Sequence, residues 1–209
     1  DLTLSFTPNS GSNRVIVVSV VWELDSPARD VSSVTIGGVS LGSRVTGIDN
    51  ATANAFDPSH AVFVMKEADF PSFPATVLCT LESGDNDAMM IVAAFDGVDQ
   101  TTPTSDSEDA TASGLSMNTD VTLTLTTAAD DMGVVLFSMD ADKFDPATLF
   151  GSATSIASLT SGSFSSGLTG EFGYKAATGS TLERGARHTF SGGSAAYNLS
   201  VVTLAQHTG

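Results

Sequence analysis

Val15-Ile16-Val17-Val18-Ser19-Val20-Val21-Trp22 is the stretch on which the fold turns. β-Branched residues dominate it, and it is short enough for a strand and too short for a typical buried helix. A half-buried strand alternates apolar with polar, whereas this one is apolar at nearly every position. It therefore lies mid-sheet with both faces covered. On its N-terminal side Leu2-Thr3-Leu4-Ser5-Phe6 alternates cleanly and stops at Pro8-Asn9-Ser10-Gly11, which reads as a turn. On its C-terminal side residues 31–36 form a short strand ending at Gly37-Gly38, a pair suited to a tight hairpin into Val39-Ser40-Leu41.

The same vocabulary recurs to the end of the chain. Strands are predicted at 61–65, 75–81, 89–98, 121–126 and 132–139, with three more near 171–177, 183–190 and 195–205. Residues 47–59 and 100–118 read as long polar connections, and 151–170 as a packed, meandering segment. About eleven or twelve evenly spaced strands predict an all-β protein, an antiparallel β-sandwich of jelly-roll-like kind with two sheets face to face. The 209 residues suit one domain spanning 1–209.

Hydrophobic residues make up 41% of the chain and charged residues 15%, enough apolar surface to offset chain entropy. The charges are lopsided, with 24 acidic residues (18 of them Asp) against 8 basic ones and a formal net charge of -16. Such a surface repels phosphate backbones and anionic headgroups, which excludes nucleic acid as a partner. No apolar run approaches the roughly 20 residues of a membrane helix, so no membrane insertion is expected. Protein surfaces, neutral glycans and cations are the partners left. The single cysteine, Cys79, sits in Thr76-Val77-Leu78-Cys79-Thr80-Leu81 and reads as a buried structural thiol.

Three segments in order carry a resemblance. Asn13-Arg14-Val15-Ile16-Val17-Val18, then Val34-Thr35-Ile36-Gly37-Gly38-Val39-Ser40-Leu41, then Ala93-Ala94-Phe95-Asp96-Gly97-Val98-Asp99-Gln100-Thr101-Thr102-Pro103 resemble a widespread bacterial and phage β-sandwich family. Its members read approximately NRLLVV, VTYGGxxL and GVDQTTP. The likeness extends through Ala176-Ala177-Thr178-Gly179-Ser180-Thr181 to the final strand. The resemblance implies a module of secreted or surface proteins or of virions, and it supplies no catalytic residues. A lone copy of such a module suits a virion decoration protein or a filament subunit. Physically, the motif residues suit turns: Gly37-Gly38 permits positive φ, and Asp99 can bond its own backbone.

Chemistry-bearing constellations are few. Trp22-Glu23-Leu24-Asp25 suggests a β-sandwich glycosidase, in which alternation points carboxylates into one cleft. Ser26, Pro27 and Ala28 stand where the further acid belongs, so Glu23 and Asp25 lack an acid/base partner and no catalytic residue is assigned. His60, His188 and His207 are dispersed, without zinc-type spacing. Calcium is the one cofactor the sequence offers, with Asp85, Asn86 and Asp87 as the tightest set of hard donors. Asp106-Ser107-Glu108-Asp109 and Asp140-Ala141-Asp142 are looser sets, and a solvated acidic turn is the stronger reading for all three. Phe70, Phe73, Tyr174 and Tyr197 are the candidate interface or ligand contacts, with Phe70 to Pro74 as a possible protein-binding anchor. The Asn198-Leu199-Ser200 sequon lies in a predicted strand and reads as coincidence.

The leading expectation is a non-enzymatic structural protein of a virion or extracellular surface, of the capsid-decoration, cement or filament-subunit type. It would associate with itself or with a capsid or filament partner. A carbohydrate-binding or adhesive module is the alternative, and a glycoside hydrolase using Glu23 and Asp25 the third.

Overall fold

The computed structural model describes residues 1–23, 30–48, 58–82, 88–115, 120–128, 130–140, 148–149, 154–161, 168–176, 181–187 and 195–208. The chain is an all-β, antiparallel sandwich, as the periodicity predicts. Eight strands come from the first half: β1 (Leu2–Phe6), β2 (Val15–Glu23), β3 (Val31–Ile36), β4 (Val39–Ser40), β5 (Thr46–Ile48), β6 (Pro58–Lys66), β7 (Ala75–Leu81) and β8 (Ala88–Phe95). Eight more follow: β9 (Thr104–Leu115), β10 (Asp120–Thr126), β11 (Met132–Asp140), β12 (Thr148–Leu149), β13 (Thr154–Ser161), β14 (Leu168–Ala176), β15 (Thr181–Arg187) and β16 (Ala195–Leu204). A 3₁₀ turn, Glu67–Asp69, joins β6 to the loop before β7. Among the described residues no helix is long and apolar enough to cross a membrane.

The described strands form four sheets rather than two. Sheet I has the order β1-β7-β3-β4, sheet II β5-β6-β2-β8, sheet III β13-β14-β11-β16-β9 and sheet IV β10-β15-β12. Apolar runs explain the stacking. In β2, Ile16, Val18, Val20 and Trp22 pack against Val34, Ile36, Val77 and Cys79 of sheet I. The alternate residues Val15, Val17 and Val21 pack against Val134, Leu136, Phe172 and Val202 of sheet III. The strand that reads as covered on both faces is covered on both, by two different sheets. Strand β11 is built alike: Val134 and Leu136 face sheet II, while buried Val135 faces away, where β10 and β15 lie against β11 and β16. Two internal sheets each need two covers, and four layers result.

Gly170 in β14 sets the approach of sheets II and III. A Cβ there would meet the Met89 sulfur at 2.8 Å and a Val21 methyl at 3.2 Å, so the glycine leaves room for both. The predicted hairpin is present: Ile36 pairs with Val39 across Gly37 and Gly38, with φ of 57° and 83° as a primed turn requires.

Two expectations are corrected. The described residues form sixteen strands: β5 and β12 are three and two residues long and fall below what periodicity can detect, and β13 lies in the segment read as meandering. Residues 104–115, expected within an exposed connection, are strand β9 along the edge of sheet III, paired with β16 from Leu204↔Thr104 to Ala195↔Leu115. Its polar, acidic sequence disguises it, since an edge strand needs little apolar content and charge protects it from further pairing.

Candidate functional site

Of the sequence-predicted site residues that are described, Phe70 and Phe73 come together, while Tyr174 and Tyr197 lie elsewhere in the fold. Phe70 and Phe73 meet edge to face at 5.6 Å between ring centroids, and both pack half-buried against the core between sheets I and II. Tyr174 packs half-buried against the core between sheets II and III, edge to face with Phe95 at 5.8 Å. Tyr197 lies in β16 opposite Met139 and Ala112. Glu23 ends β2 opposite Pro58, and Trp22 beside it is fully buried, as its apolar setting predicts. Asp85, Asn86, Asp87, Asp25, His188 and Asp142 lie outside the described residues. Cys79 is buried, and burial pushes its thiol up to about 11, consistent with a structural thiol.

The most developed polar constellation is one that sequence reading passes over. His60 on β6 is fully buried between sheets II and III. Its Nδ1 lies 2.9 Å from Ser138 Oγ of β11 and its Nε2 2.5 Å from Ser200 Oγ of β16. The Ser200 hydroxyl donates to one carboxylate oxygen of Asp109 on β9, and Thr46 Oγ1 of β5 donates to the other at 2.7 Å. Close by, the buried Asn198 amide donates to the Pro58 carbonyl, so this asparagine is not a surface acceptor for a glycan.

The proton directions follow from the donors. A carboxylate only accepts, so the Ser200 hydroxyl is committed to Asp109 and can only accept from His60. That assigns the neutral Nε2–H tautomer, with Nδ1 accepting from Ser138. Burial lowers the imidazole to about 3, ahead of opposing and reinforcing influences from Asp109 and Arg44, and keeps it neutral. Serine, histidine and aspartate are together here, but in the reverse of the order that activates a nucleophile. There the imidazole accepts the serine proton and the carboxylate orients the imidazole. Here the imidazole donates to the serine and the carboxylate holds the serine. The network satisfies polar groups between two sheets and couples β5, β6, β9, β11 and β16.

A second knot gathers motif residues from distant parts of the chain. Glu67 accepts from the Arg14 backbone N–H at 3.0 Å and from Arg14 Nε at 2.7 Å. These contacts, the backbone N–H first, hold the Glu67 carboxyl below the usual carboxylate range. Gln100 accepts from the Glu67 N–H at 3.0 Å and donates to the carbonyls of Arg14 and Val98. The guanidinium also lies over the Phe70 ring, 5.3 Å from its centroid. Asp99 accepts from the N–H groups of Thr101 and Thr102 at 2.7 and 2.8 Å, the self-bonded turn expected of it. Arg14, Asp99 and Gln100 thus have structural duties in locking β2, the 3₁₀ turn and the segment after β8.

The outer surface of sheet I is different in character. Thr3, Ser5, Ser33, Thr35, Thr76 and Leu78 face outward, and none is charged. A shallow cleft of about 510 Å³ opens at one end, lined by Gly37, Pro71, Pro74, Thr76 and Leu78 among others. On the opposite face one cross-strand row runs Leu4, Val77, Ile36, Val39. Its middle members are fully buried, whereas its ends, Leu4 and Val39, are 41% and 38% exposed and are the exposed large hydrophobic residues among those described.

No family model and no curated protein matches this chain. Among solved structures, one titled "Structure of infectious bursal disease virus Gt strain" aligns at 12% identity with a TM-score of 0.14. The alignment covers 95% of this chain and 63% of that one, so the chain spans less than two thirds of that protein. At that score the likeness carries no argument about fold or function.

Proposed function

We propose that this protein is a non-enzymatic structural protein of a virion or extracellular surface, acting through contact with neighbouring protein subunits. The observation that carries the reading is the charge-free face and edge of sheet I on a chain of net charge -16. Acidic surfaces repel one another, so neighbours with the same excess of acid meet best where charge is missing. A Thr- and Ser-lined sheet surface offers hydroxyls and methyls for such contact without a desolvated charge. The stacked sheets beneath it, with polar groups tied up between layers, give that surface a stiff backing.

Fractionation of the native source tests the proposal. The protein is expected to sediment with particles, filaments or a wall fraction and to be released as an intact chain by mild denaturant. Recovery wholly in the freely diffusing fraction, with particles devoid of it, would overturn the reading.

A further inference from the structure

We infer that β1 is a self-pairing edge: it adds, antiparallel and about a two-fold axis through Leu4, to β1 of a second copy of this chain. The inference rests on the association role proposed above and names the partner and the surface. Among the described residues β1 pairs only with β7, so its other side presents unpaired backbone N–H and C=O groups. Thr3, Leu4 and Ser5 are exposed, and the strand has none of the protections that natural edges carry: no charge, no proline and no bulge.

The other described edges are less suited: β13 is bulged between Ser155 and Ala157, β10 begins on an acid, Asp120, and β12 is two residues long. Strand β9 carries Asp106, Glu108 and Asp109, which would face their own copies in an acidic assembly. Strand β8 has no exposed residue, and β4 and β5 are two and three residues long.

The sequence of β1 is matched to itself. With Leu4 opposite Leu4 of the second copy, Leu2 falls opposite Phe6 and Thr3 opposite Ser5. Apolar meets apolar and hydroxyl meets hydroxyl at every position, the combinations that stabilise cross-strand pairs. Asp1 falls opposite Thr7, so like charges do not meet. The pairing also completes a row that each copy leaves unfinished: Ile36, Val77 and Leu4 would continue into Leu4, Val77 and Ile36 of the partner, covering the 41% exposed Leu4. A two-fold contact closes on itself and gives a dimer. Head-to-tail joining of β1 to β4 would give an open chain, but through a ladder only two residues long. Five residues of ladder are a modest contact, so the dimer is reversible and concentration-dependent.

Sedimentation velocity over a range of protein concentrations, with the full chain, reads the association. The native chain is expected to shift from monomer to dimer, and Leu4→Lys to weaken that association at least about tenfold. Val39→Lys should leave it intact, with thermal melting of both variants confirming that they fold. Oxidation of Leu4→Cys gives a geometric reading that does not depend on affinity. Opposed residues of an antiparallel pair sit roughly 4.5–5.5 Å apart at Cα, inside the range a disulfide spans. Leu4→Cys is therefore expected to cross-link quantitatively into dimers, while Thr3→Cys, opposite Ser5, stays monomeric under the same conditions. The buried Cys79 provides no competing thiol. A native chain that is monomeric at all concentrations, or association lost with Val39→Lys and kept with Leu4→Lys, would overturn the pairing. A monomer that nonetheless sediments with native particles would sink the pairing and leave the association role standing. A β1-linked dimer found wholly apart from particles would do the reverse.

Discussion

Acid should unfold this protein partly through one side chain. His60 holds an imidazole at about 3 in the folded protein against an ordinary 6.5, with burial as the main cause. Between those values the unfolded chain binds a proton that the folded chain refuses, so stability falls as pH drops below 6.5 and the loss levels off near 3. The slope in that window is on the order of 1.4 kcal/mol per pH unit. His60→Gln removes the titration. It should cost about 1–3 kcal/mol at neutral pH through Ser138 or Ser200 left without a full partner, yet show a shallower decline on acidification. Urea unfolding of both proteins at a series of pH values decides it, and parallel curves would refute the buried neutral imidazole. Sequence reading did not assemble this cluster because Ser138 and Ser200 lie 78 and 140 residues from His60. A faint signal exists. In Asn198-Leu199-Ser200-Val201-Val202-Thr203 polar residues interrupt a strand whose two faces are otherwise apolar, and buried polar residues need partners.

At the scale of elements, local pattern was legible wherever the strand itself holds the information. β1, β3 and β7 begin and end where alternation and turn residues place them, and β2 differs by one residue. The partition into sheets was not legible, because it depends on which distant strands pair. β2 and β11 are apolar on both faces, and two such strands in separate sheets demand four layers. That inference is available only once they are known not to be neighbours. Strand β9 escaped because an edge in contact with solvent is allowed to look like a loop. Gly170 likewise reads as an ordinary break until Met89 and Val21 are seen against it. Gly170→Val should therefore force sheets II and III apart and destabilise by about 1–3 kcal/mol, the cost of overpacking a close contact. A companion change, Met89→Ala, makes space at the same point. The double variant should recover part of the loss seen with Gly170→Val alone, as denaturant midpoints of the four proteins in the cycle would report.

For the whole molecule the governing quantity is charge. A net charge of -16 opposes both the compact fold and any meeting of two copies. The few described ion pairs, Arg14 with Glu67 and Arg44 with Asp30, do little against that excess. The β1 edge and the outer face of sheet I contribute no charge of their own, so the repulsion between copies comes from acids elsewhere on the surface, acting over distance. Distance is what salt controls: the Debye length falls from about 30 Å at 0.01 M to about 3 Å at 1 M. Added sodium chloride should thus raise the melting temperature and strengthen dimerisation together. The Leu4→Lys variant should show the first effect without the second. A hydrogen-bonded apolar seam is itself little weakened by sodium chloride, whereas an association held by ion pairs would loosen as screening grows. Sedimentation at low and high sodium chloride, run beside thermal melts of the same samples, separates the two mechanisms by the sign of the change.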